Sequence, residues 1–289
     1  MLKASEIKEI FPIRKGDTNK GDYGYVAIMG GCLNYSGSVK LANLSLAALR
    51  SGCGVSKVIV PKSIALSMAP YLLEQVLWPI DDKDSYMCFE KKQIDEALEK
   101  VKALAVGIGW GKGEDNEKIL TYLLENYQIP IVIDADGLNT LSTMNKDILL
   151  KRKAPVILTP HLKEFERLSG VPIEEIKKNR EETAKEFAKK YHVILLLKGA
   201  TTIVTDGKEI IKVDKGCSGM ATAGSGDVLS GILVGLLGYQ EPTCLTIAAG
   251  AYLAGLAGEF AEKEENDISM IASDTVKHIS DAIRKIRES

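Results

Sequence analysis

The chain has 289 residues, 45% hydrophobic and 26% charged, enough to bury a substantial core in one large domain or two small ones. Lys plus Arg number 37 against 39 Asp plus Glu, a net charge of −2 with no block of like charges, which argues against nucleic acid as a partner. Cys32, Cys53, Cys88, Cys217 and Cys244 are odd in number, far apart and without a CxxC pair, which argues against a disulfide framework or structural zinc and fits a reducing cytoplasm.

In chain order, residues 1–24 are charged throughout and lack the apolar core of a signal peptide. Short runs rich in Val, Ile and Leu follow at 25–29, 55–60, 104–106, 129–133, 155–158 and 193–197, and read as buried strands. Between them, 38–50, 90–100, 116–126 and 173–190 carry amphipathic helical patterns long enough for crossovers. This alternation predicts an α/β fold with a mainly parallel sheet. At 202–205 and 209–213 two strand-like runs flank Asp206-Gly207, predicting a hairpin at an antiparallel edge. The most apolar region, 228–258, is divided by Gly238, Glu241 and Pro242 into segments of roughly ten to fourteen residues, short of the ~20 a bilayer requires, so two buried helices and no membrane are expected. A last helix should start near Ser273 or Asp274, both suitable N-caps. No repeat, linker or low-complexity tract appears, and a single domain over 1–289 is the economical reading.

The segment GCSGMATAGSGD, 216–227, places small residues ahead of a helix expected over 228–237. Glycines admit a ligand close to backbone amides, and a helix N-terminus adds unpaired N–H groups and a favourable dipole, so the turn reads as an anion cradle. Alternatively, Asp227 only caps the helix and the glycines only make a tight turn. A carboxylate beside a bound phosphate is unfavourable for plain binding but sensible as a base that takes a hydroxyl proton during phosphoryl transfer. No GxxxxGK[ST] pattern occurs, which disfavours a P-loop.

Seven segments in register resemble the ADP- or ATP-dependent NAD(P)H-hydrate dehydratase family of the ribokinase-like superfamily: KGDYGYVAIMGG (20–31), SGSVKLANLSLAALRSGCG (36–54), AVGIGWG (105–111), VIDADGLN (132–139), LTPHLKEFERL (158–168), LKGATTIV (197–204) and AGSGDVLSG (223–231). The resemblance implies a ribokinase-like three-layer α/β/α sandwich and a repair reaction, in which a nucleotide, with Mg²⁺ to screen its phosphates, drives dehydration of hydrated NADH or NADPH. By that resemblance Asp227 activates the hydrate's hydroxyl, which takes a phosphoryl group held by Gly224, Ser225 and Gly226 and then leaves as phosphate.

Carried over by position, Lys198, Gly199, Ala200, Thr201 and Thr202 match the nucleotide-binding KGxxT segment, with Gly226 also on the nucleotide. Thr159, Pro160, His161 and Glu164 match TPHxxE, in which the histidine contacts the damaged nicotinamide nucleotide; on residue type alone His161 reads more readily as a helix cap or surface residue than as a ligand. Gly109, between Gly107 and Gly111, and Ala42 fall on the substrate side. Asp134 and Asn139 follow a buried strand at its carboxyl end, where open α/β sheets place their sites, with turn chemistry as the plain alternative. Ser225 stands where the family commonly has threonine, and no resident metal is expected. The resemblance also implies a homotetramer and, since the first motif begins near Lys20, an epimerase supplied separately. A sugar or vitamin-precursor kinase of the same superfamily is the competing enzyme reading; a non-catalytic nucleotide-binding regulator is disfavoured by the charge of Asp227.

Overall fold

A computed structural model describes residues 1–44 and 47–289. Its strands are β1 Tyr25–Gly30, β2 Val55–Pro61, β3 Val76–Ile80, β4 Asp82–Lys83, β5 Tyr86–Met87, β6 Val101–Ile108, β7 Ile131–Ile133, β8 Val156–Leu158, β9 Ile194–Leu197, β10 Thr202–Thr205 and β11 Ile210–Val213. Nine form one sheet in the order β11-β10-β9-β8-β7-β6-β1-β2-β3, and β4 pairs with β5 apart from it. Each neighbouring pair from β3 across to β9 is parallel, and β10 runs antiparallel to both β9 and β11.

Side chains that alternate along these strands feed two separate apolar layers. Val26 and Ile28 of β1, Ala103 and Ala105 of β6 and Val132 of β7 join helices Ser225–Leu237 and Cys244–Glu265 on one face. Ala27, Met29, Leu104, Val106, Ile131 and Ile133 join helices Asn116–Asn126 and Leu162–Ser169 on the other. Burial on both faces explains why the strands read as unbroken apolar runs rather than as alternating ones. The result is the expected three-layer α/β/α arrangement with an antiparallel edge.

Several element boundaries differ from the sequence reading. The pattern over 173–190 breaks at Asn179 (φ −132°, ψ 48°) into helices Ile173–Lys178 and Arg180–Tyr191. The pattern over 38–50 forms Ser36–Leu44 and Ala47–Arg50, and its residues 45–46 lie outside the described residues. The second apolar helix runs for 22 residues, longer than expected, because Glu and Lys after Gly258 continue it; 83% of its most apolar stretch is packed inside the fold. Asp274 is the third residue of helix Ala272–Lys277 rather than its N-cap, and its carboxylate accepts the Ile271 N–H at 2.9 Å. Ser273 likewise lies inside that first turn.

The chain leaves β1 for β2 and β3 on one side, then returns through β6 to the other side of β1 and continues to β9. Strand order therefore reverses between β1 and β6, which opens a crevice at their carboxyl ends.

Candidate active site

Backbone pairing continues just past the strand ends and lines up the residues that matter. Gly31 N–H donates to the Ile108 carbonyl at 2.8 Å, Asp134 N–H to Val106 at 3.2 Å, Thr159 N–H to Ile133 at 3.3 Å and Lys198 N–H to Pro160 at 2.9 Å. Four loops thus share one rim. On it Gly107 has φ +101° and Gly109 φ +60°, conformations that favour glycine, and a Cβ on Gly109 would lie 2.7 Å from the Tyr35 carbonyl oxygen. Ala135 takes a positive φ of 50° without being glycine, a strained turn directly after Asp134.

Asp134 is 2% exposed and fully engaged. Its Oδ1 accepts from Lys198 Nζ at 2.9 Å and from Ala135 N–H at 2.9 Å, and its Oδ2 accepts from the buried Ser230 hydroxyl at 2.7 Å. Lys198 Nζ also stands 4.0 Å from Glu164 Oε2. Burial alone would depress the lysine's pKa, but Asp134, Glu164 and Asp227 together raise it, so the ammonium keeps its charge. Burial raises the pKa of Glu164, with Lys198 opposing.

The glycine turn feeds the helix from its very start. Gly224, at φ +95°, is the N-cap and offers no side chain; the helix begins at Ser225, three residues earlier than expected. Asp227 is therefore the third helical residue and not the cap. Burial first, and the charge of Asp134 second, push its carboxyl up to about 6, while a hydrogen bond with the Ser38 hydroxyl and the Lys198 charge hold it back. A Cβ on Gly226 would lie 3.5 Å from Lys198 Nζ and 3.7 Å from Asp134 Oδ2, so this glycine leaves backbone open against the ion pair. The Ser225 hydroxyl is buried with no partner among the described residues. The first intrahelical bond runs from Val228 N–H to the Gly224 carbonyl, which leaves the preceding amides at the dipole's positive end.

Two cavities flank this group. One of about 940 Å³ is lined by Lys198, Gly199, Ala200, Thr202, Ser225 and Gly226, with His161 at its edge; Thr201 sits in the same turn without lining it. The other, about 660 Å³, is lined by Gly111, Asp136, Asn139 and Arg167 among others. Asn139 therefore belongs to the second cavity, where it donates to Asp136 at 3.2 Å and accepts from Arg167 at 2.9 Å.

His161 takes the cap position that its residue type suggested. It is the N-cap of helix Leu162–Ser169: Nδ1 accepts the N–H of Lys163 at 3.1 Å and of Glu164 at 3.2 Å, and Glu164 returns the favour to the His161 N–H at 2.9 Å. Its half-exposed ring still borders the larger cavity. Ala42 is fully buried on helix Ser36–Leu44 and lines neither of these two cavities. The residue of that helix that meets Asp227 is Ser38, four positions earlier.

Ser38, Ser230 and Asp136 are the participants that residue types did not single out. Ser230 follows Asp227 by three and so shares its helix face, a spacing visible in the sequence. Asp136 accepts the Gly111 N–H at 2.8 Å, a long-range contact with no local signature. Asp134, Glu164 and Asp227 surround Lys198 with more negative than positive charge, and of these Glu164 and Asp227 suit a divalent cation carried in with a polyphosphate.

Comparison with known proteins matches residues 26–283 to a family described as NAD(P)H-hydrate dehydratase. The bifunctional NAD(P)H-hydrate repair enzyme Nnr of Moorella thermoacetica is 34% identical over 293 residues, covering 100% of this chain and 54% of that protein. The chain thus spans about half the length of the curated relatives it matches first. The ADP-dependent (S)-NAD(P)H-hydrate dehydratase of Bacillus subtilis is 30% identical over 269 residues, 92% of this chain and 91% of its own. Among solved structures, the ADP/ATP-dependent NAD(P)H-hydrate dehydratase from Bacillus subtilis, co-crystallised with ATP and Mg²⁺, superposes with a TM-score of 0.83 at 26% identity, covering 98% of this chain and 97% of that one. A ribokinase-like superfamily protein from Enterococcus faecalis, with a TM-score of 0.85 at 24% identity over 100% of this chain and 96% of its own, shares the fold.

Proposed function

The chain belongs to the NAD(P)H-hydrate dehydratase family, and on that premise we propose that it returns (6S)-hydrated NADH or NADPH to the intact cofactor at the expense of ADP or ATP. The observation that carries this reading is Asp227: a carboxyl lifted to about 6, in the first turn of a helix whose leading amides open onto the cleft beside Lys198.

Asp227 takes the proton from the hydrate's hydroxyl, whose oxygen attacks the terminal phosphorus and releases AMP or ADP. Gly224, Ser225 and Gly226 carry the phosphoryl oxygens on backbone amides and the Ser225 hydroxyl. The phosphorylated hydrate then loses phosphate with the C–O bonding pair and a proton from the neighbouring carbon, which restores the ring double bond. Lys198, fixed by Asp134, offsets charge on the transferring group; Gly199, Ala200 and Thr202 border the nucleotide, with Thr201 in the turn between them. Gly109 and the His161 ring border the nicotinamide. Glu164 and Asp227 are the carboxylates that would meet a nucleotide-bound Mg²⁺, which would supply charge neutralisation on the phosphates, while Asp134 has its oxygens taken by Lys198, Ala135 and Ser230.

A homotetrameric assembly and an epimerase that supplies the reactive epimer complete the proposal; bifunctional repair enzymes among the relatives support the second link. The test is to mix hydrated NADH with ADP or ATP and Mg²⁺ and follow both the reduced-nicotinamide absorbance and phosphate release. Recovery of both in step is expected. A stable phosphoester without recovered NADH would favour a small-molecule kinase instead.

A further inference from the structure

A further cavity, of about 670 Å³, lies at the amino ends of β1 and β2. Tyr23, two residues ahead of β1, and Ser51 and Gly52, ahead of β2, form part of its wall, so it opens at the opposite end of the strands from Asp134 and Lys198. Helix Ser225–Leu237 joins the two ends. Asp227 stands in its first turn, and Tyr239, just past its last, lines the cavity, roughly 18 Å further along the axis.

Four guanidinium groups line this cavity, those of Arg14, Arg50, Arg284 and Arg287, and no lysine does. The chain has thirty lysines and only seven arginines, so a surface charged for solubility alone would carry mostly lysine here. Arginine differs in its planar fork of donors, which meets two oxygens of one phosphate at once.

The forks are held from several segments of the chain. Arg287, at the end of helix Ile279–Arg287, donates Nε to the Phe11 carbonyl at 2.8 Å and Nη2 to that of Pro12 at 2.5 Å. Arg14 donates Nη2 to the Gly52 carbonyl at 2.7 Å and lies over the Tyr23 ring at 3.9 Å. Tyr239 donates to the Ser51 carbonyl at 2.9 Å; burial raises its pKa, and Arg14 and Arg287 both oppose that rise, which brings cations from the two ends of the chain to one hydroxyl.

Arg14 and Arg287 keep donors beyond those their carbonyls take, and exposed Arg50 has no hydrogen bond or ion pair among the described residues. Arg284 is offset by Asp281 at 3.2 Å, and Glu288 is the one carboxylate among the lining residues described. Like charges gathered in a concave site repel unless an anion joins them, and the walls focus their field on what enters.

We propose that this cavity binds a small oligophosphate, a ligand with two or more phosphate groups, at a site separate from the catalytic cleft and independent of the reaction proposed above. Its volume is that of a small-molecule site. The net charge of −2 disfavours a nucleic acid strand as the source of the phosphates.

Inorganic tripolyphosphate is the probe, titrated calorimetrically into the full chain without Mg²⁺ at about 0.15 M salt, where non-specific attraction is screened. The wild-type chain should show a saturable site whose affinity falls about tenfold or more in Arg50→Ala and in Arg14→Ala, with Arg50→Lys recovering only part of the loss. Arg50 holds no contact among the described residues that folding depends on, so Arg50→Ala should turn over hydrate at the wild-type rate. A wild-type chain that does not bind tripolyphosphate would overturn the site. Binding with unchanged affinity and stoichiometry in Arg50→Ala would also overturn it, by assigning the anion to the nucleotide cleft alone. Loss of turnover together with binding would overturn the separation from that cleft, and binding of an oligoglutamate peptide in place of tripolyphosphate would overturn the choice of phosphate.

Discussion

Lys198 and Asp134 form a 2.9 Å ion pair whose acidic member is 2% exposed and whose basic member is 22% exposed. The carboxylate's other oxygen is already taken by Ser230. Removing the lysine therefore strands a buried charge rather than deleting a surface contact. Lys198→Met should cost about 2–3 kcal/mol of unfolding free energy, less than a wholly buried pair because the lysine keeps some solvent. Asp134→Asn, which retains hydrogen bonds and removes the charge, should cost less than Lys198→Met. Urea denaturation of both variants checks the order.

Asp227 connects catalysis with stability through one pKa. A base that titrates at about 6 gives activity that falls as pH drops below 6, and Asp227→Asn should lower kcat by roughly 10²–10⁴-fold while nucleotide binding persists. The stability effect has the opposite sense. The folded value lies above the ordinary 3.8, so stabilisation from binding the proton is complete below about 3.8 and lost as pH rises through about 6. Ionised Asp227 is a burden at neutral pH, and Asp227→Asn should gain on the order of 2 kcal/mol at pH 8 and nothing at pH 3.5. Equal stability of the two proteins at pH 8 would contradict the burial of this charge.

Much of this was legible in the sequence because the relevant signals are local. Strands buried on both faces announce themselves as apolar runs, and the glycine turn ahead of Asp227 reads as an anion cradle from its own residues, whereas the KGxxT and TPHxxE segments stand out only by resemblance. The contacts that complete the site are not local: Ser38 reaches Asp227 and Asp136 reaches Gly111 only after the chain has crossed the sheet. The edge strand β3 escaped for a different reason, since it is largely exposed and contains Pro79, features that speak against a strand everywhere except at an edge. The break at Asn179 has no Gly or Pro to mark it. Ala42 rests on transfer by position alone, since a buried methyl group carries no chemical signature of its own.

Two rim glycines should respond to alanine in opposite ways. At Gly107, φ is +101° and a Cβ would collide with the backbone of Asp134 and Gly137, so Gly107→Ala should destabilise the protein by about 2 kcal/mol or more. At Gly226 the nearest atoms to a Cβ are 3.5 and 3.7 Å away, ordinary contact in a helical residue, and Gly226→Ala should leave stability unchanged or raise it by up to about 1 kcal/mol. The added methyl would instead fill the space where phosphoryl oxygens approach the backbone, and turnover should fall at least about tenfold. Thermal melts beside steady-state rates separate a structural glycine from a functional one.

His161 carries two duties that substitution can divide. Its Nδ1 accepts two backbone N–H groups, so the cap requires the neutral ring with its proton on Nε2. Asparagine, a strong N-cap, should preserve the helix start in His161→Asn, while His161→Ala loses about 1 kcal/mol. Both remove the imidazole that borders the larger cavity, so both should raise KM for the hydrate by a similar factor if the ring contacts nicotinamide. Burial, with the charges of Lys198 and Arg167, lowers the histidine's pKa below its ordinary 6.5. The stability it contributes is therefore present above 6.5 and disappears as pH falls through the lowered value, when the protonated ring can no longer accept at Nδ1. Stability measured against pH should show that loss in the wild-type chain and not in His161→Asn, and an identical acid profile in the two would remove the cap from this account.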